Sequence, residues 1–209
     1  MATSDVEIAN IAFGLLSVAT ITSLTEQGKA AILVNSIYTS IRDATLRAIP
    51  WNFAQVRASL SRHTTAPAFG FAYQFIVPVS PYCLRINEID PEDTVFTIET
   101  DAAAQLRLLL TDEPAVKVRY TARITDPALF DAEFVQAFGT HLAAEMAYPL
   151  TESREVAKDM RAKYEALVNR AATTDAQEGS TQVADINVLL EARLQGRFED
   201  FNRSKNKFA

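Results

Sequence analysis

Apolar positions change their spacing twice along this chain, and the two changes divide it into three parts. In the first part they recur with a helical period. Ser4 and Glu7 have the spacing of a capping box, and Ile8, Ile11, Ala12, Leu15 and Leu16 follow as one stripe, which predicts a helix over 5–17. A polar turn over 22–28 leads to a second helix over 29–48. There Leu33, Ile37, Ile41 and Ala44 recur at helical spacing with Val34 and Tyr38 beside them. Pro50 ends this helix, because proline lacks a backbone donor and biases the residue before it away from helix.

From Trp51 to Ile124 the spacing shortens. The segment is rich in valine, isoleucine, phenylalanine and tyrosine, and prolines at 67, 78, 81, 91 and 114 break it into pieces. The pieces predict strands over 55–60, 71–77, 83–89, 94–100, 105–111 and 116–124. The last alternates apolar with polar residues, as a half-buried antiparallel strand does. Short turns suggest a meander of hairpins with one face left to pack on the helices. Trp51 and Phe53 are expected to anchor the junction between helix and sheet, with Tyr73 a third structural anchor.

Helical spacing then returns. Asp126-Pro127 has the form of an N-cap with a first-turn proline, and Phe134, Phe138, Leu142 and Met146 mark a helix over 131–147. Pro149 is expected to break it. Thr151 can cap the next helix, over 152–170, whose buried side carries Val156, Met160, Tyr164, Leu167 and Val168. Small polar residues over 172–185 have the composition of a flexible linker. After it comes a basic stretch punctuated by aromatics. Ile186, Leu189 and Leu190 offer an apolar anchor, and Arg193, Arg197, Phe198, Phe201 and Phe208 form a segment too short to bury itself. The predicted fold class is α+β: a helical bundle with an inserted small antiparallel β-sheet subdomain (52–124) and an extended C-terminal arm. The core spans 1–171, and 186–209 is the docking arm.

Composition narrows the function. With 48% hydrophobic and 22% charged residues among 209, the chain can bury an ordinary core. A net charge of -6 argues against a protein that grips nucleic acid by its phosphates. One cysteine, Cys83, excludes an internal disulfide and any multi-cysteine metal site. No apolar run reaches the ~18 residues of a membrane span, and the N-terminus lacks a basic export signal, so no membrane role is expected.

Candidate chemistry is sparse. His63 reads as a solvated turn residue. His141 and Glu145 stand at i, i+4, a spacing that fits two metal ligands but more commonly a helix-stabilising polar pair. Cys83 reads as a buried, inert thiol, and Asp90, Glu92 and Asp93 as a solvated acidic turn. Phosphate-binding glycine loops and a Gly-x-Ser-x-Gly elbow do not occur, so no catalytic residue, cofactor or metal is expected.

Residues 41–54, Ile-Arg-Asp-Ala-Thr-Leu-Arg-Ala-Ile-Pro-Trp-Asn-Phe-Ala, carry a resemblance. They are preceded by Asn10-Ile-Ala-Phe-Gly-Leu-Leu and Thr22-Ser-Leu. They are followed by Pro67-Ala-Phe-Gly-Phe-Ala-Tyr-Gln-Phe-Ile-Val-Pro, by Pro81-Tyr-Cys-Leu-Arg, by 118–131 and by Leu142-Ala-Ala-Glu-Met-Ala. In this order the chain resembles the head-to-tail adaptor (connector) family of tailed bacteriophages, which includes the tail tubular proteins of short-tailed phages. The resemblance spans residues 10–174. It implies a non-enzymatic structural protein of the virion, assembled in the bacterial host cytoplasm. It also implies self-association into a dodecameric ring at the head–tail junction, with the portal protein and a tail, nozzle or stopper protein as partners. DNA would pass the lumen without specific binding. The alternative reading is a prophage-encoded α+β module that binds a ligand or regulates, which a pocket of convergent polar groups would favour.

Overall fold

The computed structural model describes residues 4–178, and it has an α+β architecture. Among them are four α-helices: α1 (Asp5–Leu15), α2 (Lys29–Ala48), α3 (Ala132–Thr151) and α4 (Arg154–Glu178). Between α2 and α3 lie β1 (Gln55–Ser59), β2 (Ser61–Arg62), β3 (Tyr73–Ile76), β4 (Cys83–Asp90), β5 (Phe96–Asp101), β6 (Leu106–Thr111) and β7 (Lys117–Ala122). Residues 1–173 form one compact unit. The helix α4 runs on into a second, 174–209, of which only the first residues are described.

The capping box closes α1 as its spacing requires. Ser4 Oγ accepts from the Glu7 amide at 3.2 Å, and the Ser4 amide donates to Glu7 Oε2 at 2.9 Å. Beyond the helix, Asn10 clamps the returning chain, donating to the Ile21 carbonyl at 3.0 Å and accepting from the Ile21 amide at 2.9 Å.

In α1 and α2 the buried face is rotated by about one position from the expected stripe. Ile8, Ala9, Ala12, Phe13 and Leu16 are buried in α1, while Ile11 stands partly out. In α2 the buried line is Ala31, Val34, Tyr38, Thr45 and Leu46. Leu33, Ile37 and Ile41 are half-buried and Ala44 is exposed. A single ridge of i, i+4 residues fixes a helix's period but not the centre of the face it buries.

Most of α3 is buried, and it is the central helix. Its Phe134, Phe138, Leu142 and Met146 are fully enclosed, as the pattern predicts, and both α1 and α2 pack on it. Pro149 does not break it. Proline sits one turn from the end, on the exposed side, and the carbonyl left without a donor is that of exposed Glu145, which water can satisfy. The helix closes at Glu152 in the left-handed region (φ 57°), and Ser153 rather than Thr151 caps α4, its Oγ accepting from the Val156 amide.

Running antiparallel to α3, α4 lays Val156, Met160, Tyr164, Leu167 and Val168 against the helical core. Residues 172–178 are helix, not linker. Alanine, glutamine and glutamate are good helix formers, and extending an existing helix is far easier than starting one. The remainder of the expected linker, 179–185, lies outside the described residues.

All six predicted strands are present, joined by the short β2, but they do not form a meander. They make two antiparallel sheets, β1-β7-β4 and β2-β3-β6-β5. The entry strand β1 pairs with the exit strand β7, Gln55 opposite Thr121, so the insertion leaves and rejoins the helices at one place. Local periodicity carries no information about partners this distant.

The apolar faces pack on each other rather than on the helices. Val116, Val118, Tyr120, Ala122 and Cys83 of the first sheet meet Phe75 and Leu109 of the second. The outer side of the first sheet is polar, with Gln55, Asn87 and Thr121 joined by hydrogen bonds. Among the described residues the helices meet this sandwich at its base, through Trp51, Phe53, Tyr82, Leu84 and Ile124. Trp51 is 1% exposed and is the anchor its position suggests. Phe53 is half-buried beside it, and Tyr73 is half-buried under the Arg62 guanidinium, 4.1 Å from its ring centre.

Gly139 sets the distance between α1 and α3. A Cβ there would lie 2.8 Å from Ile11 Cγ2 and 3.2 Å from Ile11 Cβ, and a β-branched side chain has little freedom to retreat. Gly139→Ala should therefore destabilise by about 1–3 kcal/mol from overpacking, despite the ~1 kcal/mol that alanine contributes over glycine within a helix. Adding Ile11→Ala removes Cγ2 and with it the 2.8 Å contact, leaving only the 3.2 Å approach of the two Cβ atoms, so that denaturant melts of the two single variants and the double variant should give non-additive values. Trp51→Ala should cost about 3–5 kcal/mol in the same measurement.

Candidate functional site

The base of the sandwich gathers charged and aromatic groups from segments far apart in sequence. Asp43, on α2, is the centre. Its Oδ1 accepts from Arg42 Nε at 3.1 Å and Nη2 at 2.9 Å, and its Oδ2 lies 2.6 Å from Arg123 Nε, just past β7. The Arg123 guanidinium also covers the Tyr82 ring at 4.3 Å, and its amide donates to the Tyr82 carbonyl at 2.8 Å. Two further arginines bind the next carbonyls. Arg47 Nη1 donates to Leu84 O at 2.8 Å, and Arg107 Nη1 donates to Cys83 O at 2.6 Å. Residues 82–84 are thus held by arginines from α2, from β6 and from the exit of β7.

An aromatic group completes the joint. Trp51 Nε1 donates to the Thr45 carbonyl at 2.9 Å, and its ring meets Phe134 edge-on with centres 5.2 Å apart. Phe53 packs on Phe130 and Phe134, at 6.0 and 5.1 Å. The Arg42 side chain is almost wholly enclosed, and a buried guanidinium is tolerable only when paired, as this one is with Asp43. Burial pushes the Cys83 thiol up, with Arg107 and Arg47 pulling the other way, so the thiol is held protonated and unreactive. Here charge and ring area serve to bind one part of the chain to another.

The histidines take positions their sequence neighbours did not suggest. His63 is half-buried and organises the β2–β3 loop, its Nδ1 lying 3.1 Å from Gln74 Nε2 and accepting from the Thr65 amide at 3.3 Å. His141 makes no hydrogen bond with Glu145. That carboxylate goes to Arg161 on α4 at 2.9 Å, while His141 Nδ1 lies 2.8 Å from Thr45 Oγ1 on α2 and its ring stacks on Tyr164 at 4.1 Å. Since the Thr45 hydroxyl gives its one hydrogen to the Ile41 carbonyl, the His141 Nδ1–H is the donor. Among the described residues no group of three or more His, Cys, Asp or Glu side chains could hold a metal ion. No helix there is long and apolar enough to cross a membrane.

Two exposed features lie on the sandwich away from this joint. Strand registers place the loops 63–72, 91–95 and 112–116 together at the end farthest from the helices, and there Phe69 is 87% and Val95 74% exposed. Asp90, Glu92 and Asp93 are solvated there as expected, Asp90 meeting Lys117 at 3.0 Å. The second feature is β5, exposed along nearly its whole length. The expected docking residues Ile186, Leu189, Leu190, Arg193, Arg197, Phe198, Phe201 and Phe208 lie outside the described residues. No local pattern joins Asp43 to Arg123, which belong to segments on either side of the whole insertion. The only sequence signal of their contact was that both residues stand in the segments carrying the adaptor resemblance. Comparison with known protein families and with curated proteins gives no match.

Burial disfavours the charged form of His141 and lowers its pKa; Glu145 opposes this and Arg161 adds to it. Because the folded value lies below the unfolded one, the contribution to stability is complete above about pH 6.5 and falls as the pH drops through that value toward the folded one. Chemical denaturation between pH 7.5 and 5 should show this decline, and His141→Gln should flatten it.

Proposed function

We propose that this chain is a structural head-to-tail adaptor of a tailed bacteriophage, standing in a ring between the portal protein and the first tail protein. One observation carries the reading. Residues 41–54, 81–85 and 118–131, which bear the adaptor resemblance, are scattered along the sequence but meet at a single joint. Asp43, Trp51, Tyr82, Leu84, Arg123 and Phe130 all belong to it. That these segments contribute side chains to one joint supports the reading.

The architecture suits the task. A ring subunit at a head–tail junction has to bind neighbours on several sides while keeping its own shape. A helical body carrying a β-sandwich by its base offers separate surfaces for separate partners. The net charge of -6 suits a lumen through which a duplex slides, because a surface that attracted phosphates would retard it. In this reading the protein acts in the virion, lets DNA pass its lumen without specific binding, and docks to the portal through residues 186–209.

Heads assembled without the protein should fail to acquire tails, and adding the purified full chain should restore infectious particles. A chain ending at Asp185 should keep the melting temperature of the full chain within a degree or two and lose attachment to portal-containing heads. Normal joining by the truncated protein would remove the docking role of 186–209. Tailed, infectious particles formed in the protein's absence would remove the adaptor reading altogether.

A further inference from the structure

Four strands stand at sheet edges, and they differ in how well they resist pairing with another chain. β4 carries two register irregularities, at Cys83/Arg85 and Ile86/Glu88, and such bulges spoil an edge as a template. β2 is two residues long. β5 and β1 are different. β5 keeps an unbroken register with β6 over six residues, and β1 one with β7 over five; neither strand contains proline or lysine.

Each of these regular edges holds one charged side chain with no partner among the described residues, Glu99 on β5 and Arg57 on β1. Register fixes the side on which each stands. Ile98 is opposite Leu109, on the inner side of the second sheet, so Glu99 stands on the outer side. Val56 and Ala58 pack into the sandwich core, so Arg57 likewise stands outside. On the inner side of β5, Phe96 and Ile98 are more than a third exposed.

We propose that β5 of one copy of this chain pairs with β1 of a second copy. Three features select that occupant. If the two sheets join so that Phe96 and Ile98 continue the apolar side formed by Val56 and Ala58, then Glu99 and Arg57 come to the same outer side, within reach of each other. Pairing β1 with β1 over its full length would set the central Arg57 against Arg57, and pairing β5 with β5 about Glu99 would set the two carboxylates opposite each other; like charges in such positions repel. The contact is therefore between unlike surfaces, and a head-to-tail contact repeats from copy to copy until a ring closes or a filament grows. That the repeat ends in a closed ring rests on the adaptor reading; the choice of strands does not.

The test is sedimentation velocity of the full chain at low ionic strength over a range of concentrations, with hydrogen exchange measured in parallel. Wild-type protein should associate as its concentration rises, and the amides of β1 and β5 should slow together as it does so. Arg57→Glu and Glu99→Arg, both at exposed positions, should each weaken association at least tenfold, and the double reversal should recover most of the loss. A chain that stays monomeric at its solubility limit overturns the proposal, as does slow β5 exchange at every concentration, the result if residues 179–209 of the same chain cover that edge. Rings that persist in both single variants, or a double reversal no better than the singles, overturn the strand assignment and leave the adaptor reading standing.

Discussion

Asp43 faces guanidinium groups on two sides, and the attachment of the sandwich to the helices depends on that arrangement. One partner, Arg42, is its neighbour on α2; the other, Arg123, arrives at the end of β7 after the entire insertion has been traversed. The nearly enclosed Arg42 guanidinium needs an opposite charge, and losing Asp43 would leave it uncompensated. Tyr82, lying under Arg123, ties β4 into the same contact. Trp51 and Phe53 belong with Tyr82 to the apolar cluster at the same base, so ring surface and ion pair hold the same two parts of the chain. The apolar and ionic parts of the joint therefore support each other.

What the sequence made legible follows the range of each interaction. The Ser4–Glu7 cap, the α3 stripe, the alternation of β7 and the positions of six strands are local properties, and all are present. Ionic and sheet partnerships are not local. The pairing of β1 with β7, the division into two sheets, and the company His141 keeps with Thr45 and Tyr164 depend on residues far away in the chain. Pro149 and residues 172–178 misled for a different reason. Both are weak local signals for an end of helix, and the packing of α3 and the propagation of α4 outweigh them. Of the candidate site residues, Trp51 was legible because a large aromatic beside a proline stop has few places to go but inward.

Separate surfaces follow from the way the insertion is attached. Since it enters and leaves at one place, its far end carries no connection to the helices. The loops 63–72, 91–95 and 112–116 are free to present Phe69 and Val95 outward without any role in the joint. The two long, regular edges lie on different strands of different sheets, and the helical body keeps its own faces. A chain built this way presents several separate surfaces, none of which takes part in the joint.

The adjacency of β1 and β7 also sets an order of events as the chain emerges from the ribosome. β7 is the central strand of its sheet, yet it is the last strand synthesised, and Gln55 and Thr121 are 66 residues apart. Until residue 122 is available, both β1 and β4 lack the partner that covers them, and the closure entropy of a long loop stands between them and their final positions. The second sheet has all its strands by residue 111 and can assemble first, supplying Phe75 and Leu109 as a surface on which the other condenses. Arg123 comes next after β7, so the ion pair with Asp43 has to wait until every strand of the insertion has been synthesised. The ionic contact between helices and sandwich is thus the last of these contacts for which both partners exist as the chain is made.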